Sequence, residues 1–185
     1  MDTLIHLLRH AETRIDPNTS PVEWHVTEEG AKIAQMLASS GVFDNVDLVV
    51  SSAEYKAIES AQPFAERLGL ETSIEPRFNE LERVGDHISS RNEYLRRVKL
   101  ALLNQDSSVH GWETAANAIR RFKQGIRSVE SKAESDAVLV VSHGLVLSLY
   151  FATLLDLDEV YDRWLRLEFC SWGTVKNQHV IKDIV

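Results

Sequence analysis

The amino-acid sequence predicts an α/β protein, a three-layer α/β/α sandwich with a mostly parallel central sheet. Short apolar runs, such as residues 4–8 and 137–141, alternate along the chain with segments of helical periodicity. Strands covered by helices on both faces have such uninterrupted runs, because neither face meets water. The 185 residues contain no internal repeat and no linker-like change in composition. We therefore expect one domain that spans residues 1–185.

Composition and charge exclude several classes of function. The formal net charge of −8 argues against nucleic acids and anionic membranes as partners, since both attract basic surfaces. Cys170 is the only cysteine, so neither an internal disulfide nor a cysteine-built metal site can form. The apolar stretch over residues 145–157 is too short to cross a bilayer, and residues 1–3 lack a signal-peptide pattern. We expect a cytoplasmic protein.

The first half of the chain predicts strands and helices in alternation after the opening strand. Thr27 is a suitable N-cap for a helix that ends near Ser40. The apolar residues Ile33, Met36 and Leu37 fall at helical spacing and predict the apolar face of this helix. The other elements predicted in this half are a strand over residues 46–50, a helix over 54–68 and a short edge strand over 71–74.

The second half begins with a polar stretch, residues 78–87, that has no clean period. Such excursions often carry function because the scaffold holds them over the strand ends, and we expect residues 80–112 to form a lid or insert over the site. Of the histidines outside the motifs, only His87 falls in that stretch. The remaining predicted elements are helices over 94–103, 112–133 and 145–155, and a hairpin with strands over 169–175 and 179–185.

Two apolar strands end at a histidine. The first strand delivers Arg9 and His10 into a turn, and the run 137–141 leads to His143. In open parallel sheets, ligands bind outside the carboxyl ends of the strands. If the two strands are neighbours, both histidines face one pocket; alternatively, each is an ordinary polar residue that marks a strand end.

The residues Leu8-Arg9-His10-Ala11-Glu12-Thr13 resemble the arginine-histidine-glycine signature of the histidine phosphatase superfamily, which includes the cofactor-dependent phosphoglycerate mutases. Further segments resemble the other motifs of the family, in the family's order: residues 26–30, 51–61, 78–80, 111–114 and 141–144. These matches cover nearly the entire chain. The resemblance implies a phosphoglycerate mutase-like fold.

Carried over residue by residue, the resemblance implies that His10 is the nucleophile and that Arg9, Lys56 and His143 surround the phosphate, with Glu80 as proton donor. The residue types suit this chemistry. A neutral imidazole can attack phosphorus and hold the phosphoryl group as a phosphohistidine. Its other ring nitrogen must then donate to a fixed acceptor, most simply a backbone carbonyl. An arginine fork binds two phosphate oxygens, and a protonated His143 would add positive charge beside them.

Two assignments stay open at this stage. Glu82 lies two residues from Glu80 and is the rival proton donor, and both could instead be ordinary acidic loop residues. Thr13 either donates its hydroxyl to the phosphate, as a further binding residue, or caps the following turn. No spacing of histidines and carboxylates suggests a metal site, and the implied mechanism needs neither a metal nor another cofactor.

Three residues depart from the family pattern. Lys56 stands where the family usually has a second arginine, and a lysine lacks the bidentate fork. Ala11 replaces the usual glycine, which requires a negative φ at this position. Asp16 stands where many members have asparagine, and a carboxylate there would repel a phosphate unless it is turned away or protonated.

The leading functional hypothesis is a histidine acid-type phosphatase, a metal-independent hydrolase of small phosphomonoesters. The chain is short for a phosphoglycerate mutase, which favours hydrolysis over transfer, but a mutase-type phosphotransferase remains the alternative. A non-catalytic phosphate-binding module, motivated by Lys56 and Asp16, is the second alternative. The physiological substrate and the oligomeric state are not determined by the sequence.

Overall fold

The computed structural model describes residues 3–16, 18–83, 90–132 and 136–185. Six strands and six helices lie within these ranges. The strands are β1 Leu4–Arg9, β2 Leu48–Ser51, β3 Thr72–Ile74, β4 Ala137–Ser142, β5 Trp172–Lys176 and β6 His179–Lys182. The helices are α1 Glu28–Ser39, α2 Tyr55–Leu68, α3 Arg91–Leu103, α4 Ala115–Lys132, α5 Gly144–Leu155 and α6 Val160–Arg166.

The strands form one mixed sheet in the order β3-β2-β4-β1-β5-β6. The pairs β3-β2, β2-β4 and β4-β1 are parallel, and the C-terminal hairpin adds β5 and β6 antiparallel. The mostly parallel sheet and the terminal hairpin confirm the sequence-based prediction. Because β1 and β4 are direct neighbours, with Arg9 opposite Ser142, the two histidines that follow them emerge side by side.

Two apolar cores, one on each face of the sheet, make the three layers. Alternate residues of the central strands point to opposite faces: Leu7 and Val140 pack with α3, α4, α5 and α6, whereas Leu8 and Val141 pack with α1 and α2. Both faces of β4 are therefore covered, and all six of its residues are buried. This explains why the sequence shows an unbroken apolar run there.

The structure corrects the predicted face of α1. Thr27 caps the helix by accepting from the Gly30 amide at 2.9 Å, as expected, but Ile33 and Met36 are 50% and 72% exposed. The buried residues of α1 are small: Gly30, Ala34 and Ala38. A Cβ at Gly30 would lie 2.7 Å from the Glu12 carbonyl oxygen, so α1 packs through small residues that allow a close approach. Of the three predicted residues only Leu37 packs against the core, as a partly buried side chain, and apolar size alone was misleading for Ile33 and Met36.

One helix was missed and two predictions lie partly outside the described residues. The helix α6 follows α5 after a short loop, and its seven residues include Asp162, Arg163 and Arg166, which obscure its apolar periodicity. The predicted excursion 78–87 extends into residues 84–89, and His87 lies among them, outside the described ranges. The predicted end of the fourth helix at Ala133 lies outside them as well.

The described residues contain no helix that is both long and apolar enough to cross a membrane.

Gly173 is expected to be intolerant of a side chain. A Cβ there would lie 2.5 Å from the Phe151 ring and 2.8 Å from the Lys182 carbonyl oxygen, and Phe151 is fully buried. Overpacking of this kind costs about 1–3 kcal/mol, so we expect Gly173→Ala to lower the free energy of unfolding by about that amount in denaturant titrations. Combining it with Phe151→Leu should give less than the sum of the two single effects; strictly additive losses would contradict the proposed clash.

Candidate active site

His10 follows β1 and is held by backbone carbonyl contacts. The imidazole is 6% exposed, and its Nδ1 lies 2.7 Å from the Ala11 carbonyl oxygen. A carbonyl can only accept, so Nδ1 carries the proton and Nε2 is left with a lone pair that can attack phosphorus. The expected backbone acceptor for His10 is therefore present.

Thr13 and Ala11 support this orientation. The Thr13 hydroxyl donates to the Ala11 carbonyl oxygen at 3.3 Å and lies 3.3 Å from the His10 Nδ1. Ala11 is fully buried, lies outside the left-handed region of φ, and donates its amide to the Ser60 hydroxyl at 2.8 Å. The alanine thus fits where the family usually has glycine, which confirms the negative φ that the sequence requires.

His143 is the N-cap of α5 and faces His10. The two ring centroids are 5.1 Å apart, so the neighbouring strands do bring both histidines into one site. The Nε2 of His143 lies 2.7 Å from the Ser52 hydroxyl, whose position follows from the β2-β4 pairing. The Nδ1 of His143 is buried and has no hydrogen-bond partner among the described residues, so it is available to a ligand.

Both histidines are neutral at physiological pH. Burial, helped by His143 and Arg9, lowers the pKa of His10 well below its ordinary value. Burial, helped by Lys56 and Arg83, does the same to the pKa of His143. A neutral His10 suits a nucleophile. The sequence-based expectation of a protonated His143 does not hold for the protein alone, because desolvation penalises the charged ring.

The guanidinium of Arg9 lies against aromatic and backbone groups at the end of the sheet. It donates to the Leu167 carbonyl oxygen and stacks 4.2 Å from the centroid of the Phe169 ring. Its Nε is buried without a hydrogen-bond partner in the described structure. Gly144 allows this placement, since a Cβ there would lie 3.3 Å from the guanidinium carbon.

Glu80 is bound at the N-terminus of α5. Its carboxylate accepts from the amides of Leu81, Leu145 and Val146 at 2.9, 3.0 and 3.1 Å. This position lies next to His143 and benefits from the helix dipole. Glu82 is exposed, and its backbone bonds with Glu113 instead. The geometry therefore favours Glu80 over Glu82 as the acidic residue of the site.

Lys56 is a buried lysine. Its side chain is 4% exposed, and its Nζ donates to the Glu54 carboxylate and, at 2.6 Å, to the Pro21 carbonyl oxygen. Glu54 also accepts from the Glu80 amide at 2.7 Å and lies 3.6 Å from the His143 Nε2. Lys56 thus reaches the site as one half of a buried ion pair.

A polar cavity of about 550 Å³ opens beside Glu80. Arg83 lines it and donates to the Tyr94 hydroxyl at 3.1 Å. Burial acts to lower the pKa of Arg83, but its interactions with Tyr94, Glu80 and Glu54 outweigh burial and raise it. Arg121 borders the same cavity and holds the carbonyl oxygens of residues 77, 79 and 80 together with the Glu113 carboxylate.

Sequence reasoning missed Ser52, Glu54 and Arg83 as members of the site. The only sequence signal for Glu54 was its position at a helix start, two residues before Lys56. Acidic residues are common at helix starts because the helix dipole favours them, so this position alone did not indicate a role in the site. The Asp16 carboxylate is engaged within its own loop, where it accepts from the Asn18 amide at 2.9 Å. Within the described ranges, no group of three or more histidine, cysteine or acidic residues could hold a metal ion.

The buried neutral histidines make stability dependent on pH. Burial lowers the pKa of His6, His10 and His143, so the unfolded chain binds more protons than the folded protein just below about pH 6.5. Stability is fully present above that pH and is lost as the pH falls. We expect the free energy of unfolding to decrease by up to about 1.4 kcal/mol per pH unit for each histidine.

Denaturant titrations between about pH 7 and pH 5.5 would measure this slope. His6 packs against Phe43 and Trp172 away from the strand ends, so His6→Asn removes one contribution without touching the site. We expect a shallower slope in that variant. Equal stability of the parent protein at both ends of the range would contradict the prediction.

The fold and the histidine-containing site agree with one protein family. The family model of the histidine phosphatase superfamily (branch 1) matches residues 5–181, and the chain belongs to this superfamily.

Individual relatives agree with this assignment. The probable phosphoglycerate mutase GpmB of Serratia proteamaculans (strain 568) is 27% identical over 187 residues, which cover 94% of this chain and 85% of the relative. The native structure of a mycobacterial glucosyl-3-phosphoglycerate phosphatase superposes with a TM-score of 0.78 at 20% identity, over 100% of both chains. The alpha-ribazole phosphatase from Shigella flexneri gives 0.75 at 21% identity, over 99% of this chain and 96% of that one. The two structures establish the likeness of fold.

Proposed function

We propose that this protein is a metal-independent phosphatase that hydrolyses small phosphomonoesters through a phosphohistidine at His10. The observation that carries the proposal is the pairing of the His10 and His143 rings, 5.1 Å apart, with the His10 Nδ1 fixed on a carbonyl. This arrangement leaves one ring nitrogen for attack and, on His143, a buried ring nitrogen for a phosphate oxygen. Arg9 supplies positive charge at the same strand ends, and Lys56 reaches the site as one half of a buried ion pair with Glu54.

The reaction follows from these positions. The His10 Nε2 attacks phosphorus, the bond from phosphorus to the ester oxygen breaks, and Glu80 gives its proton to the departing oxygen. Water then attacks the phosphohistidine while Glu80 takes up a proton, which restores His10. Three amides hold the Glu80 carboxyl group at the start of α5, which fixes its position for both steps.

Residues 80–83 of the segment 80–112 line the polar cavity, and the described part of the segment is proposed to bound the substrate site. Arg83 and the α3 residue Tyr94 lie close enough to Glu80 for their charges to interact, which supports the interpretation of this segment as a lid or insert of one domain. The substrate is proposed to be small; the polar cavity of about 550 Å³ adjoins Glu80, whereas His10 and His143 are not among the residues that line it. A cytoplasmic location stays a prediction of the sequence alone.

A phosphoglycerate mutase is the second candidate, because curated relatives carry that name. It requires a bisphosphorylated primer to keep the histidine phosphorylated. Conversion of 3-phosphoglycerate that depends on added 2,3-bisphosphoglycerate would favour the mutase, whereas release of inorganic phosphate without it favours the phosphatase.

The decisive experiment is hydrolysis of an aryl phosphate in the presence of a metal chelator. In parallel, the phosphorylated protein is trapped, and phosphohistidine is recognised because it is lost in acid and stable in base. We expect undiminished turnover and one labelled histidine. Chelator-sensitive turnover would contradict the proposal. Phosphate binding without turnover would instead support a non-catalytic binding module.

A further inference from the structure

Glu54 is a buried carboxylate that the proposed mechanism does not use. The residue is 3% exposed and precedes the first turn of α2. One of its oxygens accepts from the Glu80 amide at 2.7 Å and lies 3.6 Å from the His143 Nε2. The other oxygen accepts from the Lys56 ammonium. Glu54 therefore contacts three residues of the proposed phosphate site at once.

The first consequence concerns Lys56. Its ammonium is surrounded by the Glu54 carboxylate and the Pro21 carbonyl, and the pair is almost completely buried. In such surroundings the carboxylate cancels most of the field of the ammonium. The cation that would attract a phosphate at this position is therefore neutralised within the protein.

The second consequence concerns His143. Burial, Lys56 and Arg83 lower the pKa of this imidazole well below its ordinary value, so it is neutral before a phosphate arrives. Its Nδ1 is unpartnered, while its Nε2 faces Ser52 and the Glu54 carboxylate. A phosphate dianion at Nδ1 would place the ring between two negative groups, and nearby opposite charges favour the protonated ring.

We infer that Glu54 sets the charge of the phosphate site, so that a tetrahedral dianion is bound together with one proton that His143 takes up from solvent. The inference rests on the proposed function. It also predicts that inorganic phosphate leaves readily, since Glu54 cancels Lys56 and opposes retention of the product. The other charged or titratable groups that face Glu54 and His143 are Arg9, His10, Glu80, Arg83 and Arg121.

The test uses tungstate as a competitive inhibitor of aryl phosphate hydrolysis, because tungstate stays a tetrahedral dianion from neutral to mildly alkaline pH. In the parent protein we expect its inhibition constant to rise by about tenfold per pH unit, the slope for uptake of one proton. The substitution Glu54→Gln removes the carboxylate that neutralises Lys56. In this variant we expect about tenfold tighter inhibition at the alkaline end of the range and a weaker dependence of the inhibition constant on pH. Glu54→Asp keeps the charge and should behave like the parent.

Asp44→Asn is the matched control, because Asp44 forms a bidentate ion pair with Arg67 and precedes β2, whereas the site lies beyond the carboxyl end of that strand. It should leave the inhibition constant and its slope unchanged. A parent inhibition constant that does not change with pH would overturn the inference, even if Glu54→Gln did not fold. So would a folded Glu54→Gln variant with the affinity and slope of the parent.

These outcomes are separable from failure of the proposed function. A parent protein that forms phosphohistidine but whose Glu54→Gln variant binds tungstate unchanged would defeat only the role of Glu54. A parent that forms no phosphohistidine would defeat the phosphatase proposal itself. Product inhibition by inorganic phosphate gives a second measurement. Because Glu54 opposes retention of the product, we expect a smaller inhibition constant for inorganic phosphate in Glu54→Gln than in the parent protein.

Discussion

Replacing His10 with alanine is expected to lower kcat/KM for an aryl phosphate by about four orders of magnitude or more, the scale seen when a covalent nucleophile is removed. The physical reason is that the variant has no imidazole at the end of β1, where the His10 Nε2 would form the covalent intermediate. Steady-state hydrolysis and phosphohistidine trapping after an alkaline quench measure the loss. Both signals should disappear together.

His25→Ala is a suitable control for this variant. His25 is a histidine of the same chain whose ring is exposed and pairs with Glu59 on the surface, so we expect unchanged turnover and trapping. Thermal unfolding of His10→Ala distinguishes lost chemistry from lost structure. Substantial hydrolysis by a folded His10→Ala protein would mean that another group is the nucleophile.

Glu80→Gln is the second large effect. General acid catalysis contributes about 10²–10⁴-fold, and an amide cannot donate a proton to the departing oxygen. The loss should depend on the substrate. We expect it to be largest for alkyl phosphates, whose leaving oxygen needs the proton, and smallest for aryl phosphates with good leaving groups. Measurement of kcat/KM across a series of leaving groups would reveal this trend as a steeper dependence in the variant.

Glu82→Gln is the matched control, because Glu82 borders the same cavity but is exposed and contacts Glu113 only through its backbone amide and carbonyl. We expect little change across the leaving-group series. The reverse pattern, with a large loss in Glu82→Gln and a small loss in Glu80→Gln, would transfer the proton-donor role to Glu82. Equal losses for all leaving groups in Glu80→Gln would indicate a role in holding α5 rather than in proton transfer.

Local physical rules were sufficient for most of the fold. The two-sided burial of β4 appears in the sequence as an apolar run. Thr27 marks the start of α1 because its side chain accepts a local hydrogen bond. Gly69 marks the end of α2 because it adopts the left-handed backbone conformation. The exposed Met36 shows where such rules end, since the close approach of α1 to its neighbours selected small residues rather than large apolar ones.

The candidate site divides in the same way. The sequence by itself determined that Arg9 lies at a strand end and that His10 and His143 follow strands, because strand ends are marked by the change from apolar to polar residues. Only the tertiary structure decided that Glu54 lies among them, and that it neutralises Lys56 and faces the second histidine. The reason is that chain connectivity fixes which residues leave a strand, whereas charge pairing in a buried site depends on side chains from distant segments whose proximity arises only on folding.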